Sequence, residues 1–170
     1  MKKLLVVVDM QNDFINGSLG TKEAEGIVPA VKAKIEQYEA EGEDVVFTMD
    51  THYDNYMETP EGRKLPVQHC IQGTEGWKLS PELAGFKGKR FEKPTFGSVE
   101  LARFVGNKDY QSIELVGLCT DICVISNALL LKTVRPGTDI SVDTACCAGV
   151  TPESHRNAIE AMRMCQIDIK

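Results

Sequence analysis

The chain has no apolar run approaching the ~20 residues that cross a bilayer, no internal repeat and no low-complexity tract. These absences exclude a spanning helix, a repeat array and a linker-dominated chain. The opening apolar run, Leu4 to Val8, is cut by Asp9 after five residues. That is too short for a signal-peptide core, so it reads as a buried strand of a cytoplasmic protein. Positive charge is in deficit: 19 Lys and Arg against 25 Asp and Glu give a net charge of −6. A phosphate-backbone binder needs a basic face, and so does docking on anionic lipid; neither nucleic acid nor membrane is an expected partner. Aromatic residues are scarce at 6 %, with one Trp, and there are only three histidines. Six cysteines are present, but 170 residues bury a core without disulfide staples. They read as reduced thiols, any of which can be reactive.

What the sequence does contain is alternation. Leu4 to Val8, Val45 to Thr48, Ile113 to Val116 and Ile140 to Val142 are short Val/Ile-rich runs of the kind buried on both faces of a sheet. Lys89 to Phe91 and Gln166 to Ile169 are weaker strand candidates. Between them lie helical patterns: Val28 to Glu41, Ser98 to Val105, the nearly all-apolar Asp121 to Val134, and a segment opened by Thr151-Pro152-Glu153-Ser154. Strand–helix alternation predicts a doubly wound α/β domain covering residues 1–170. Its sheet is mainly parallel, of about six strands, with helices on both faces. Ligands in such folds bind beyond the carboxyl ends of the strands. Asp9, Asp50, the segment 117–123 and Asp143 therefore stand out, each just past an apolar run. The stretch Thr51 to Gly88 has little periodicity, and a loop that long is usually functional.

Four stretches carry chemistry-bearing residues. In Gly117-Leu118-Cys119-Thr120-Asp121-Ile122-Cys123-Val124, Thr120 as N-cap puts Cys123 in the first helical turn. Free N–H groups there favour a thiolate and can hold an oxyanion. Asp9 ends a buried strand and is placed to act as general base toward a thiol. Asp50 and His52 lie two apart along an extended segment and share a face. His69, and Glu58 or Glu61, can close a cation site around them, whose mixed nitrogen and oxygen ligands suit zinc, iron or manganese. Lys93, in Phe91-Glu92-Lys93-Pro94-Thr95-Phe96, can hold a carboxylate in place. Each residue taken singly also has a plain structural reading: a buried thiol, a loop-capping Asp, a surface His, a solvated Lys. His155 falls on a mixed helical face and is assigned no role.

Taken together and in order, these stretches resemble the isochorismatase-like cysteine hydrolase superfamily, in particular its nicotinamidase (pyrazinamidase) branch. The matching segments are Val7-Val8-Asp9-Met10-Gln11-Asn12-Asp13-Phe14, Asp50-Thr51-His52, His69-Cys70-Ile71-Gln72-Gly73-Thr74, Lys93-Pro94-Thr95-Phe96-Gly97-Ser98 and Gly117 to Val124. The resemblance implies a triad of Asp9, Lys93 and Cys123. It implies a cis peptide at Leu118–Cys119, with the N–H groups of Cys119 and Cys123 forming an oxyanion hole. It also implies Phe14 packed on the substrate ring and one divalent metal ion (Zn, Fe or Mn) on Asp50, His52 and His69. Many members place a further His where this chain has Glu58, and others use a Glu at the spacing of Glu61. The implied activity is hydrolysis of a small amide, nicotinamide first, through a thioester. Alternatives are another amide, a carbamoyl compound or isochorismate, or a non-catalytic metal- or thiol-binding protein. Members often assemble as dimers or tetramers. Where related nicotinamidases carry an aromatic before the metal His, this chain has Leu65-Pro66-Val67-Gln68, leaving Trp77, Tyr53 or Tyr56 as substitutes.

Overall fold

The computed structural model describes all 170 residues. Its frame is one six-stranded sheet of β1 (Leu4–Val8), β2 (Asp44–Asp50), β3 (Lys89–Lys93), β4 (Ser112–Leu118), β5 (Asp139–Ala148) and β6 (Asp168–Ile169). The order is β3-β2-β1-β4-β5-β6, and every pairing is parallel. Alternation along β1 sorts its side chains onto the two faces. Leu5 and Val7 join one apolar cluster with Val31, Ile35 and Phe47; Leu4, Val6 and Val8 join the other with Leu101, Leu115 and Leu131. Helix α2 (Lys22–Ala40) covers the first face, after the short α1 (Asn12–Ile15). Helices α4 (Val99–Gly106), α5 (Ile125–Val134) and α6 (Pro152–Met164) supply residues to the second. Each face buries a full apolar layer, which explains why the strands read as continuous Val/Ile runs.

Two boundaries differ from the sequence reading. Helix α2 begins at Lys22 rather than Val28, and Pro29 lies inside it. Thr21 caps its start by accepting from the Ala24 N–H at 3.0 Å. Pro29 removes the i→i−4 bond to the Glu25 carbonyl, and both residues lie on the exposed side of the helix. Strand β5 runs on to Ala148 through a register shift opposite Leu115–Gly117. Asp143 therefore sits mid-strand, facing Lys34 at 2.8 Å, and not at the carboxyl edge. The segment after β2 holds a 3-10 turn (Tyr56–Glu58) and a short helix α3 (Pro60–Lys64) and is otherwise irregular. No helix is long and apolar enough to cross a membrane.

The chain reverses winding between β1 and β4, the central pair. Parallel sheets leave a crevice at such a switch point, beyond the carboxyl ends of the strands. Beside it Gly117, whose φ of +118° is open to glycine, lets β4 lie close against β1; a Cβ there would meet the Val8 carbonyl oxygen at 2.2 Å.

Candidate active site

Asp9 follows the last residue of β1, Lys93 ends β3, and Cys123 lies on the turn after β4. The sheet order brings these three, far apart in sequence, to one edge. Lys93 Nζ lies 2.7 Å from Asp9 Oδ2, 3.3 Å from Cys123 Sγ and 3.3 Å from Asp50 Oδ1, and donates to the Thr95 carbonyl at 3.0 Å. Its side chain is 1 % exposed. Burial works against the ammonium, but Asp9, Cys123 and Asp50 hold its pKa above the ordinary lysine value. The Asp9 carboxylate is wholly buried and accepts from Thr48 Oγ1 at 2.6 Å. Burial raises its pKa despite the opposing pull of Lys93. Its backbone adopts φ +48°, left-handed for a non-glycine residue. Such conformers cost about 1–2 kcal/mol and gather where geometry serves function.

Cys123 departs from one expectation. Burial drives its thiol well above the usual value, with the Asp9 charge adding to the effect and Lys93 opposing it. Burial thus opposes the thiolate that a helix start would favour. The capping geometry also differs. Cys119, not Thr120, is the N-cap, and Thr120–Val124 form a π-turn in which the Cys119 carbonyl accepts from both Ile122 and Val124 N–H groups. The Leu118–Cys119 peptide is cis, as the resemblance implies. The Cys119 N–H donates to no protein acceptor.

Beside this group lies a second one. Asp50, His52, Glu61 and His69 each offer one ligand atom, all within 4.8 Å of one another. His52 Nε2 is 2.9 Å and His69 Nε2 3.4 Å from Asp50 Oδ2; the same nitrogens are 3.7 and 3.8 Å from Glu61 Oε1. Two imidazoles and two carboxylates are a borderline-metal donor set, and bonds of about 2.0–2.1 Å in a tetrahedron set ligand atoms ~3.3 Å apart. The spacing fits a divalent cation. His69 Nδ1 lies 2.8 Å from the Val67 carbonyl, which leaves Nε2 free to face the cluster. Burial disfavours the Asp50 anion, yet hydrogen bonds to His52 and His69 and the Lys93 charge hold it below the usual carboxylate range. Of the two glutamates left open by sequence, Glu61 joins the cluster from α3. Glu58 does not: it is exposed on the 3-10 turn, one short helix earlier. That assignment is corrected to Glu61.

Helix α1 braces the cluster from below. Gln11, fully buried, donates to the carbonyls of Asp50 and Trp77 at 2.8 Å each and accepts from the Asp50 N–H at 2.8 Å. Asp13 accepts from the N–H of Cys70, next to His69, at 2.8 Å. These two residues sit in the recognised opening motif, but their bracing role depends on a loop path that sequence does not reveal.

Both groups open into a cavity of about 560 Å³, lined by Asp50, Glu61, His69, Cys119 and Cys123 and by an apolar wall including Phe14, Leu19, Phe96, Ile122 and Val150. Phe14 stands 5.5 Å from the His69 ring. None of the proposed substitute aromatics lines the cavity. Trp77 turns its N–H to Thr51 Oγ1 at 3.0 Å, Tyr53 is exposed, and Tyr56 packs edge-on against His52 and His69. Phe96 is the second aromatic on the wall; it falls within the Lys93 motif already noted.

The family model for the isochorismatase domain matches residues 3–169. The chain belongs to the isochorismatase family. A nicotinamidase/pyrazinamidase from Mycobacterium tuberculosis is 29 % identical over 98 % of this chain and 97 % of its own. The crystal structure of the Pyrococcus horikoshii pyrazinamidase in complex with zinc superposes with a TM-score of 0.85 at 26 % identity, covering 100 % of this chain and 99 % of that one. N-carbamoylsarcosine amidase from Thermoplasma acidophilum superposes with a TM-score of 0.79 at 28 % identity, covering 100 % and 96 %.

Proposed function

We propose that this member of the isochorismatase family hydrolyses a small, uncharged ring amide through a thioester on Cys123, with nicotinamide the leading substrate. It is a hydrolase of non-peptide C–N bonds. The observation that carries the reading is a single buried ammonium, Lys93, in contact with Asp9, Asp50 and Cys123 at the edge of an apolar cavity.

In this scheme Asp9 accepts the thiol proton as the sulfur attacks the amide carbonyl carbon. Burial raises the pKa of Asp9, which makes it a better proton acceptor than an exposed carboxylate, and it raises the Cys123 thiol as well. Lys93 holds Asp9 in place and offsets its charge. The N–H groups of Cys119 and Cys123 donate to the carbonyl oxygen as it gains charge. Asp9 passes its proton to the departing nitrogen, ammonia leaves, and a thioester remains. Asp9 then takes a proton from the water that cleaves the thioester to acid and thiol. Phe14 packs on the ring of the substrate. Asp50, His52, Glu61 and His69 would hold a divalent cation, zinc, iron or manganese, which supplies a Lewis-acid contact for a substrate heteroatom.

The relatedness to N-carbamoylsarcosine amidase favours a second reading, a carbamoyl or other acyclic amide. The wall argues for the first: beyond the metal-type cluster its one cationic lining residue is the exposed Lys64, so a carboxylate-bearing substrate has a single surface partner. Ammonia release from a panel containing nicotinamide, pyrazinamide and carbamoyl amino acids, with the wild type and Cys123→Ala, tests both. Release from the ring amides that disappears in Cys123→Ala is expected. Retained hydrolysis by that variant refutes the thioester route, and a preference for carbamoyl compounds refutes the substrate class.

A further inference from the structure

His155 belongs to neither group described above, yet it touches the turn that carries both Cys119 and Cys123. It lies on the first turns of α6, half-buried, with Nδ1 2.7 Å from the Thr120 hydroxyl. Thr120 is fully buried, and its hydroxyl has no other hydrogen-bond partner in the protein. The next residue is tied from the same direction, since Asp121 accepts from the Val150 N–H at 3.1 Å. The junction between β5 and α6 presses closely on the ring's own backbone: a Cβ on Gly149 would meet His155 Cβ at 2.8 Å. Two successive residues of the π-turn are thus fastened to α6 and the turn before it, while Cys119, just before them, and Cys123, two residues on, line the cavity. π-turns are rare and gather at functional sites, and an oxyanion hole works only if its donors stay where charge will develop.

We infer that His155 is a positioning residue for the hydrolysis: through the Thr120 hydroxyl it fixes the turn that aims the Cys119 and Cys123 N–H groups and the Cys123 sulfur. This rests on the thioester reading above. The groups that face the ring are Asp121 on the turn and Arg156 on its own helix; neither replaces its bond to Thr120.

The expected signature is a loss in kcat without a loss in binding, because the donors act on charge that develops after the substrate is seated. His155→Ala and Thr120→Val should each lower kcat about tenfold, less than the ~100-fold typical of deleting an oxyanion donor outright. KM should stay within about twofold and metal content should be unchanged. Gln in place of His155 and Ser in place of Thr120 keep a polar partner and should recover most of kcat. The double variant His155→Ala/Thr120→Val should be no worse than either single one, since both break the same bond. If His155→Ala is too unstable to purify, the Thr120→Val and Thr120→Ser pair decides alone. Near-wild-type kcat in Thr120→Val, or additive losses in the double variant, overturns the inference. Cys123→Ala, measured alongside, separates the two failures. If it is inactive while the Thr120 and His155 variants are silent, only the positioning role falls. If it stays active, the thioester reading falls first.

Discussion

Lys34, partly exposed, and Lys93, buried, each face two carboxylates, and their surroundings differ. Lys34, on α2, meets Glu114 at 2.7 Å and Asp143 at 2.8 Å against the middle of the sheet. Glu114 is also met by Lys170 at 2.7 Å, and Asp143 accepts from the Ala145 N–H at 3.0 Å. Two cations face two carboxylates, and no member lines the cavity beside Cys123. Lys93 faces Asp9 and Asp50 alone, with Glu61 close by, so carboxylates outnumber cations. Its partner Asp9 is held left-handed, Cys123 Sγ lies 3.3 Å from the ammonium, and the cavity opens alongside. A buried charge by itself is weak evidence of function, since structural networks also exist. What separates these two clusters is surplus: unbalanced charge, a thiol and room for a ligand on one side, matched charges on the other.

That comparison breaks most visibly at Lys93. Lys93→Met keeps the stem and removes the charge, leaving Asp9 and Asp50 buried with less compensation. Stripping one partner from a buried ion pair typically costs about 3–5 kcal/mol. Urea denaturation should show a loss of that order, and ammonia release should fall by at least about 10³-fold, since a triad-like unit fails as a whole. A folded Lys93→Met with a tenth of wild-type activity would leave the ammonium without a chemical role.

The next effect is confined to the metal-type cluster and sharpens its membership. Glu61→Gln should weaken zinc binding at least about tenfold, measured by competition with a chromophoric chelator. Glu58→Gln should leave it unchanged. Equal losses in the two variants, or none in Glu61→Gln, would remove Glu61 from the ligand set.

How much of this was legible beforehand follows the regularity of the backbone. Asp9, Asp50, Lys93 and Cys123 each stand beside an apolar strand, and a parallel sheet has one functional edge, so sequence could place them together. Asp143 satisfied the same filter and failed it in three dimensions, because β5 continues through a bulge that no periodicity announces. Glu61 and Glu58 lie in the irregular stretch after β2, where spacing does not fix direction; the choice was made by the short helix α3. Helix α2 reads from Val28 because the apolar stripe of Val28, Val31, Ile35 and Tyr38 stands out there, yet Thr21 caps it farther back. The π-turn was read as an ordinary helix start because both begin with the same residues and differ only in which N–H reaches the Cys119 carbonyl.

The Lys34 cluster provides the contrasting case. Lys34→Met should destabilise the fold by about 2–3 kcal/mol, at the lower edge for broken buried pairs because Lys34 and Asp143 keep 20 % and 16 % exposure. Its kcat/KM should stay within about twofold of wild type. A large loss of activity in a variant that retains its fold would mean the two clusters are coupled through the sheet, and the distinction between them would dissolve.

The smallest effect is the pH dependence of that same difference in stability. Burial works against the Lys34 charge, but its bonds to Asp143 and Glu114 hold its pKa above the ordinary lysine value. Its contribution is therefore complete below about pH 10.4, the unfolded value, and is lost as pH rises through the raised one. Burial also disfavours the Asp143 anion, but the hydrogen bond and charge of Lys34 outweigh it and depress the pKa. Its contribution is complete above about pH 3.9 and is lost as pH falls through the depressed one. The stability gap between wild type and Lys34→Met should thus be flat from about pH 5 to 9 and narrow toward both extremes, by less than about 1 kcal/mol per pH unit at first. Denaturant midpoints across that range measure it. A gap that varies steeply near neutrality would show that a group titrating there, not this pair, carries the stability, and would return the cluster to the list of sites with chemistry to explain.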